Sequence, residues 1–291
     1  DPHVRPSPDT SYHFVAMSGD HRLAKSDLRP VVIGFGPCGI FAALLLAQMG
    51  LKPIVLERGK AVRERTQDTW ALWRKKILNP ESNVQFGEGG AGTFSDGKLW
   101  SQVKDPKFYG RKVLHEFVKA GAPEEILYVS KPHIGTFRLV GMVEKIRQEI
   151  INLGGEVRFG QKVIGFDINQ GDMGSVATFI KCDIGDASSV DAAFAEFNKV
   201  SNKLDVLVNN VGIFLPGSLL DEDDETFEKQ QHLNTNASYY ISKFFGKKMR
   251  SAKQGHIFNI CSVASKVPAK NAGSYSVTKA AMLSLNHVLR Q

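Results

Sequence analysis

Apolar and polar positions alternate along this chain in blocks that predict strands and helices in turn. Val31-Val32-Ile33, after Pro30, is a short branched run that predicts a buried strand. It enters GFGPCG at 34–39 and then the apolar run IFAALLLAQMG, which predicts a packed helix. PIVLERG at 53–59 predicts a second strand, closed by Glu57. The alternation then lapses. WALWRKKIL reads as helical, NVQFGEGGAGTFSDGKL at 83–99 is dense in glycine, and helical patterns return at 108–120 and 138–153. Gly154-Gly155 ends the latter, and EVRFGQKVIGFDI at 156–168 alternates as one or two strands. NQGDMGS at 169–175 is a polar break.

Beyond the break the series is regular. VATFIKCDI at 176–184, LDVLVNNVG at 204–212 and GHIFNICS predict strands. SSVDAAFAEFNKVSN, FEKQQHLNTNASYYISKFFGKKM and AGSYSVTKAAMLSLNHVL predict the helices between and after them. Such alternation implies a parallel sheet covered on both faces. The expected fold is α/β, a Rossmann-like doubly wound parallel sheet of order 3-2-1-4-5 with a large insertion after its second strand. The expected parts are an arm at 1–29, a dinucleotide-binding βαβ at 30–59, an insertion at 60–168, a junction at 169–175 and a catalytic part at 176–291. Two segments compete for the third strand, EVRFG at 156–160 and VATFIKCDI at 176–184.

Composition narrows the function classes. Hydrophobic residues make up 42% of the chain and charged residues 23%, enough for a real core. The net charge of +7 suits an anionic ligand, but the cations are scattered, which argues against nucleic acid as a partner. Three separated cysteines, Cys38, Cys182 and Cys261, offer neither a disulfide framework nor metal spacing, so a reducing, cytoplasmic setting and no metal are expected. Cys38 is expected to fill space beside Gly39. IFAALLLA is too short to span a bilayer, so no membrane partner is expected. His133 and His232 lack partner spacing, and the acidic run at 221–225 reads as a solvated helix start.

The chemistry lies in GSYSVTKAAM at 273–282. Tyr275 and Lys279, four apart on a helix, share a face. A tyrosine ionises at about pH 10 and is a poor base near neutrality, but an adjacent cation favours the phenolate. With KCDI, NNVG, LNTNA and NICS upstream in that order, residues 176–291 resemble the short-chain dehydrogenase/reductase family. The resemblance implies that Asn234, Ser262, Tyr275 and Lys279 form a catalytic tetrad. It implies that Asp183 meets an adenine and that Asn209, Asn210 and Gly212 face the cofactor. It also implies pairing through the helices carrying Asn234 and Tyr275, hence a homo-oligomer. The family's T-G-x-x-x-G-x-G turn does not occur before residue 176, so the resemblance covers the middle of such an enzyme.

A second resemblance rests on RPVVIGFGPCGIFAALLLAQMGLKPIVLERG, NVQFGEGGAGTFSDGKL and KPHIGTFRL. Residues 1–168 resemble the FAD-dependent dehydrogenases of glutathione-reductase-like type, again in truncated form. A glycine turn between a strand and a helix lets backbone approach a pyrophosphate, with Gly34, Gly36 and Gly39 in that role. Glu57 would accept from ribose hydroxyls, which favours FAD or NAD over NADP. The resemblance makes residues 87–92, with Ser95, Asp96 and Lys98, a second cofactor-facing loop; a flexible surface loop is the plainer reading.

The whole then reads as a chimera joined near 165–176. The leading expectation is hydride transfer between NAD and a small-molecule alcohol or carbonyl, impaired if the truncation matters. The alternatives are a FAD-binding dehydrogenase fragment and a non-catalytic fusion of two enzyme pieces.

Overall fold

The computed structural model describes residues 8–15, 29–100, 104–169, 171 and 178–290. Most of the expected arm and most of the junction therefore lie outside the described residues. The chain divides into two compact units; of the described residues, one takes those up to Ile164 together with Thr178, and the other takes Gly165 to 171 and Phe179 onward. Both are α/β with parallel strands.

In the first unit the predicted strand–turn–helix–strand forms as β1 (Val31–Ile33), α1 (Pro37–Gln48) and β2 (Ile54–Leu56). Pro37 opens α1, where a missing N–H has no helical partner to lose. Ile40, Ala43, Leu44 and Ala47 bury one face. The insertion contains α2 (Val62–Lys75), α3 (Tyr109–Lys119) and α4 (Thr136–Asn152). α4 packs on α1, with Leu139, Val143, Ile146 and Ile150 in the shared core. After α4, Gly154 takes φ 86°, a left-handed conformation that suits glycine. The turn sets β3 (Glu156–Arg158) beside β2, completing a parallel sheet of order β1-β2-β3.

This settles the competition for the third strand and corrects the expected sheet. Ile54, Val55 and Leu56 pair with Glu156, Val157 and Arg158. The strand that leaves α4 is delivered to the edge of β2 because α4 is already docked on α1. The other candidate pairs elsewhere: β4 (Ile164–Asp167) and β5 (Thr178–Lys181) form a separate two-stranded sheet. The single 3-2-1-4-5 sheet is thus replaced, among the described residues, by three smaller ones.

The second unit continues with α5 (Ala187–Val200), capped by Asp186, which accepts the Ser189 N–H at 2.9 Å. β6 (Val206–Asn209) pairs in parallel with β7 (His256–Asn259). The long predicted helix between them is interrupted: α6 (Asp224–Gln231), a π-helical turn at His232–Asn236, then α7 (Ala237–Ala252). α8 (Gly273–Val288) follows β7. Aromatic rings fill the core beneath α5 and α7. Phe194 stacks on Phe244 at 3.7 Å, and Phe166 of β4 meets both Phe197 and Phe245. No helix among the described residues is long and apolar enough to cross a membrane.

Candidate functional site

The glycine turn of the first unit is a close approach of backbone to backbone. A Cβ at Gly39 would overlap the Gly34 carbonyl, so only glycine lets α1 start so near the end of β1. Gly34 itself has φ 88° and donates its N–H to Leu56 O at 2.8 Å. The second glycine loop lies directly on the first. Gly89 N–H donates to Phe35 O at 2.8 Å, and a Cβ at Gly90 would sit 3.3 Å from Gly36 Cα. Glu88 and Thr93 of that loop are buried, so it is no free surface loop. Ser95 bonds Gly92 O, while Asp96 and Lys98 pair with each other at the surface.

Glu57 ends β2 as predicted, but its carboxylate is already engaged. Oε2 accepts from Phe35 N–H and Oε1 from Gly59 N–H, each at 2.7 Å. Each oxygen keeps a second lone pair, so a ribose hydroxyl could still donate to it. Cys38 is exposed on the first turn of α1, which corrects its reading as a space-filler; the turn points its side chain away from the core.

In the second unit the structure brings together the loop after β6, the π-turn and α8. Asn234, fully buried in the π-turn, accepts from Ile213 N–H at 2.7 Å and donates to Ile213 O at 3.0 Å and Thr278 Oγ1 at 3.1 Å. A Cβ at Gly212 would lie 3.0 Å from Lys279 Nζ and 3.2 Å from Asn234 Oδ1. Lys279 is only 5% exposed and donates to Ile260 O at 3.0 Å. No carboxylate pairs with it among the described residues. Its ammonium lies 5.9 Å from the centre of the Tyr275 ring, so the pair shares a helix face as predicted. Phe214 meets that ring edge-on at 4.8 Å. Ser262 opens a short helical turn that packs on α8, and its Oγ accepts from Ala264 N–H at 3.2 Å, leaving its own proton to donate.

Three predicted cofactor contacts stand differently from one another. Asn209 is buried, and its amide donates to Ser242 Oγ and Asn259 Oδ1, both at 2.8 Å. Its side chain ties β6 to α7 and β7, because alternate strand residues face opposite sides and this one faces the helices. Asn210, next along, is exposed, as is Asp183, which accepts from Gly185 N–H at 2.8 Å. His232 bonds Gly185 O at 2.7 Å, ordinary polar packing as expected.

Comparison with known proteins finds similarity in this half. Residues 165–291 match the family described as short chain dehydrogenase. A Clostridium beijerinckii protein known only as an uncharacterized protein is 55% identical over 148 residues, 51% of this chain and 27% of its own length. The Rattus norvegicus dehydrogenase/reductase SDR family member 6 is 33% identical over 131 residues, 44% of this chain and 53% of that one. The Escherichia coli serine dehydrogenase structure is 24% identical, covering 45% of this chain and 64% of that one, with a TM-score of 0.42. The chain thus spans about half the length of the rat relative and about a quarter of the Clostridium one.

The short-chain dehydrogenase match begins at 165, earlier than the sequence reading placed it. It takes in β4 and the exposed Asp167 that ends it, a residue the reading passed over. An acid closing a strand before a polar turn was the available signal. The reading also missed Arg65 and Glu88, which hold the glycine loops from within. Arg65, fully buried, donates to the carbonyls of Asn83, Val84 and Glu88 at 2.6–2.7 Å. Burial pulls its guanidinium down to about 10. Burial pushes the Glu88 carboxyl up, although Val62 N–H and Arg147 oppose this.

Proposed function

We propose that the chain is an NAD-linked oxidoreductase of short-chain dehydrogenase type, acting on an alcohol or carbonyl compound. One observation carries the reading: Lys279 is a buried ammonium with no described carboxylate, four residues from Tyr275. Burying an unpaired charge is costly, so its retention points to a use. An ammonium has three donors, and Ile260 O occupies one. The others are available to the hydroxyls of a nucleotide ribose.

The residues present suit a nicotinamide dinucleotide. Asp167 and Asp183, both exposed at strand ends, would take the adenosine side, and a carboxylate at Asp167 favours NAD over NADP. Gly212 and Asn210 would line the nicotinamide side. The bound nicotinamide supplies or accepts the hydride. In the reducing direction Tyr275 gives its phenolic proton to the carbonyl oxygen as hydride reaches the carbon, and Ser262 donates a hydrogen bond to the same oxygen. Lys279 stabilises the resulting phenolate. In the oxidising direction the proton returns to Tyr275.

The test is NADH oxidation by the full chain across a panel of simple ketones and aldehydes. Tyr275→Phe is expected to lower turnover by roughly 10²-fold or more. Unchanged turnover in that variant would remove Tyr275 from the chemistry.

The glycine turn favours a second reading for the first unit, a FAD-binding dehydrogenase fragment. The overlap at Gly39 and the carboxylate at Glu57 are what a dinucleotide site at a helix N-terminus requires. A yellow purified protein with flavin absorbance supports it. A colourless chain that also leaves NADH fluorescence unchanged supports the non-catalytic fusion instead.

A further inference from the structure

The acidic run at 221–225 divides its work. Asp223 caps α6, accepting from Thr226 N–H at 2.7 Å. Glu222 turns the other way. Its Oε1 accepts from Ser274 N–H at 3.0 Å and its Oε2 from Ser274 Oγ at 2.8 Å. Ser274 is fully buried and immediately precedes Tyr275. Its hydroxyl also accepts from Gln230 Nε2 at 2.6 Å, and Gln230 Oε1 accepts from Leu215 N–H at 3.0 Å. Leu215 follows Phe214, the residue whose ring abuts Tyr275. The same loop is stitched to the start of α8 by Gly217 N–H to Asn271 O and Gly273 N–H to Gly217 O, both at 3.0 Å. A Cβ at Gly273 would come within 2.7 Å of Leu219 N, so the approach needs glycine there.

We propose that Glu222 and Gln230 are positioning residues for Tyr275. Together they hold Ser274 and Leu215, which fixes where α8 begins and where the Phe214 ring meets the phenol. This rests on the reading of Tyr275 as the acid and base of the reaction. The donor pattern is directional. Ser274 Oγ gives its proton to Glu222 and receives one from Gln230, so each side-chain polar atom of the clamp has a partner within it or in Leu215 and Ser274 backbone. Glu222→Gln presents a second N–H to that hydroxyl, and Gln230→Glu presents a second carboxylate. The double variant exchanges the two roles and restores a complete set.

The full chain labelled with 3-fluorotyrosine tests the clamp by fluorine NMR. It has six tyrosines, and Tyr275 is assigned by the line lost in Tyr275→Phe. Each single variant is expected to move the Tyr275 line and leave those of Tyr239 and Tyr240 on α7 in place; the double variant returns it. In NADH turnover the singles are expected to lose roughly tenfold in kcat at constant KM for NADH, regained in the double. A Tyr275 line unmoved in the singles overturns the proposal, and so does a double variant that stays shifted. If a single variant fails to fold, a folded double with the parent Tyr275 line supports the clamp. Turnover absent from the parent chain, with the Tyr275 line still moved and restored, defeats the reductase reading and supports the clamp.

Discussion

The two units hold their loops by opposite means. In the first, buried charges grip the backbone: Glu57 takes the N–H groups of Phe35 and Gly59, and Arg65 takes three carbonyls of the 83–88 segment. In the second, neutral amides and hydroxyls do most of this work, with Glu222 at Ser274 the charged exception. Asn234 clasps both polar groups of Ile213, Gln230 takes Leu215 N–H, and Asn209 ties β6 to α7. Hydrogen bonds with a charged member are roughly twice as strong as neutral ones. The glycine-rich loops have few side chains of their own to pack, so they need the stronger hold. The charged arrangement makes the first unit sensitive to the protonation of single groups. Among the described residues of the second, Lys279 is the one charged side chain that is buried, and its ammonium is largely uncommitted.

Arg65→Met presses hardest on this contrast. It orphans three carbonyls, two of them in buried bonds, and should cost about 4 kcal/mol. Trp70, Trp73 and Trp100 all lie in the first unit, so urea unfolding followed by tryptophan fluorescence reads that loss directly. Gly39→Ala should come next, at roughly 3 kcal/mol, because its new methyl meets backbone that cannot move aside. The same fluorescence measures it, together with lost protection of the α1 amides in hydrogen exchange. Asn234→Leu should cost about 2 kcal/mol, with faster exchange at Ile213 N–H as its signature. If Asn234→Leu proved costlier than Arg65→Met, the ranking of charged over neutral anchors would fail.

The smallest effect is a pH dependence. Burial raises the Glu88 carboxyl above its ordinary value, so folding takes up a proton there. The contribution of Glu88 to stability is therefore fully present below the ordinary carboxylate range and is lost as pH rises through the raised value. Glu88→Gln should flatten that limb above the ordinary carboxylate range. Fluorescence-monitored unfolding across that range checks it.

Much of this was legible along the chain because the demands were local. β1, α1 and β2 follow from one apolar block, one glycine turn and one closing acid. Tyr275 and Lys279 declare themselves by helical spacing, and NNVG by its place at a strand end. The third strand was not decidable locally: EVRFG and VATFI carry the same alternation, and the docking of α4 on α1 chose between them. The anchors were illegible for the same reason. Gln230 and Ser274 are 44 residues apart, and Arg65 reaches a carbonyl 23 residues away. Nothing in either neighbourhood marks one for the other.

The π-helical turn at His232–Asn236 has a consequence for phase. Each residue advances an α-helix by about 100°, so an extra residue in one turn rotates everything after it by that amount. The face of α6 that buries Gln230 and the buried face of α7 are therefore out of step, like two threads cut on one screw with different starts. Deleting a single residue there would bring the threads back into line. It would also swing Asn234 away from Ile213, unscrewing the loop that lies between the strand end and the tyrosine.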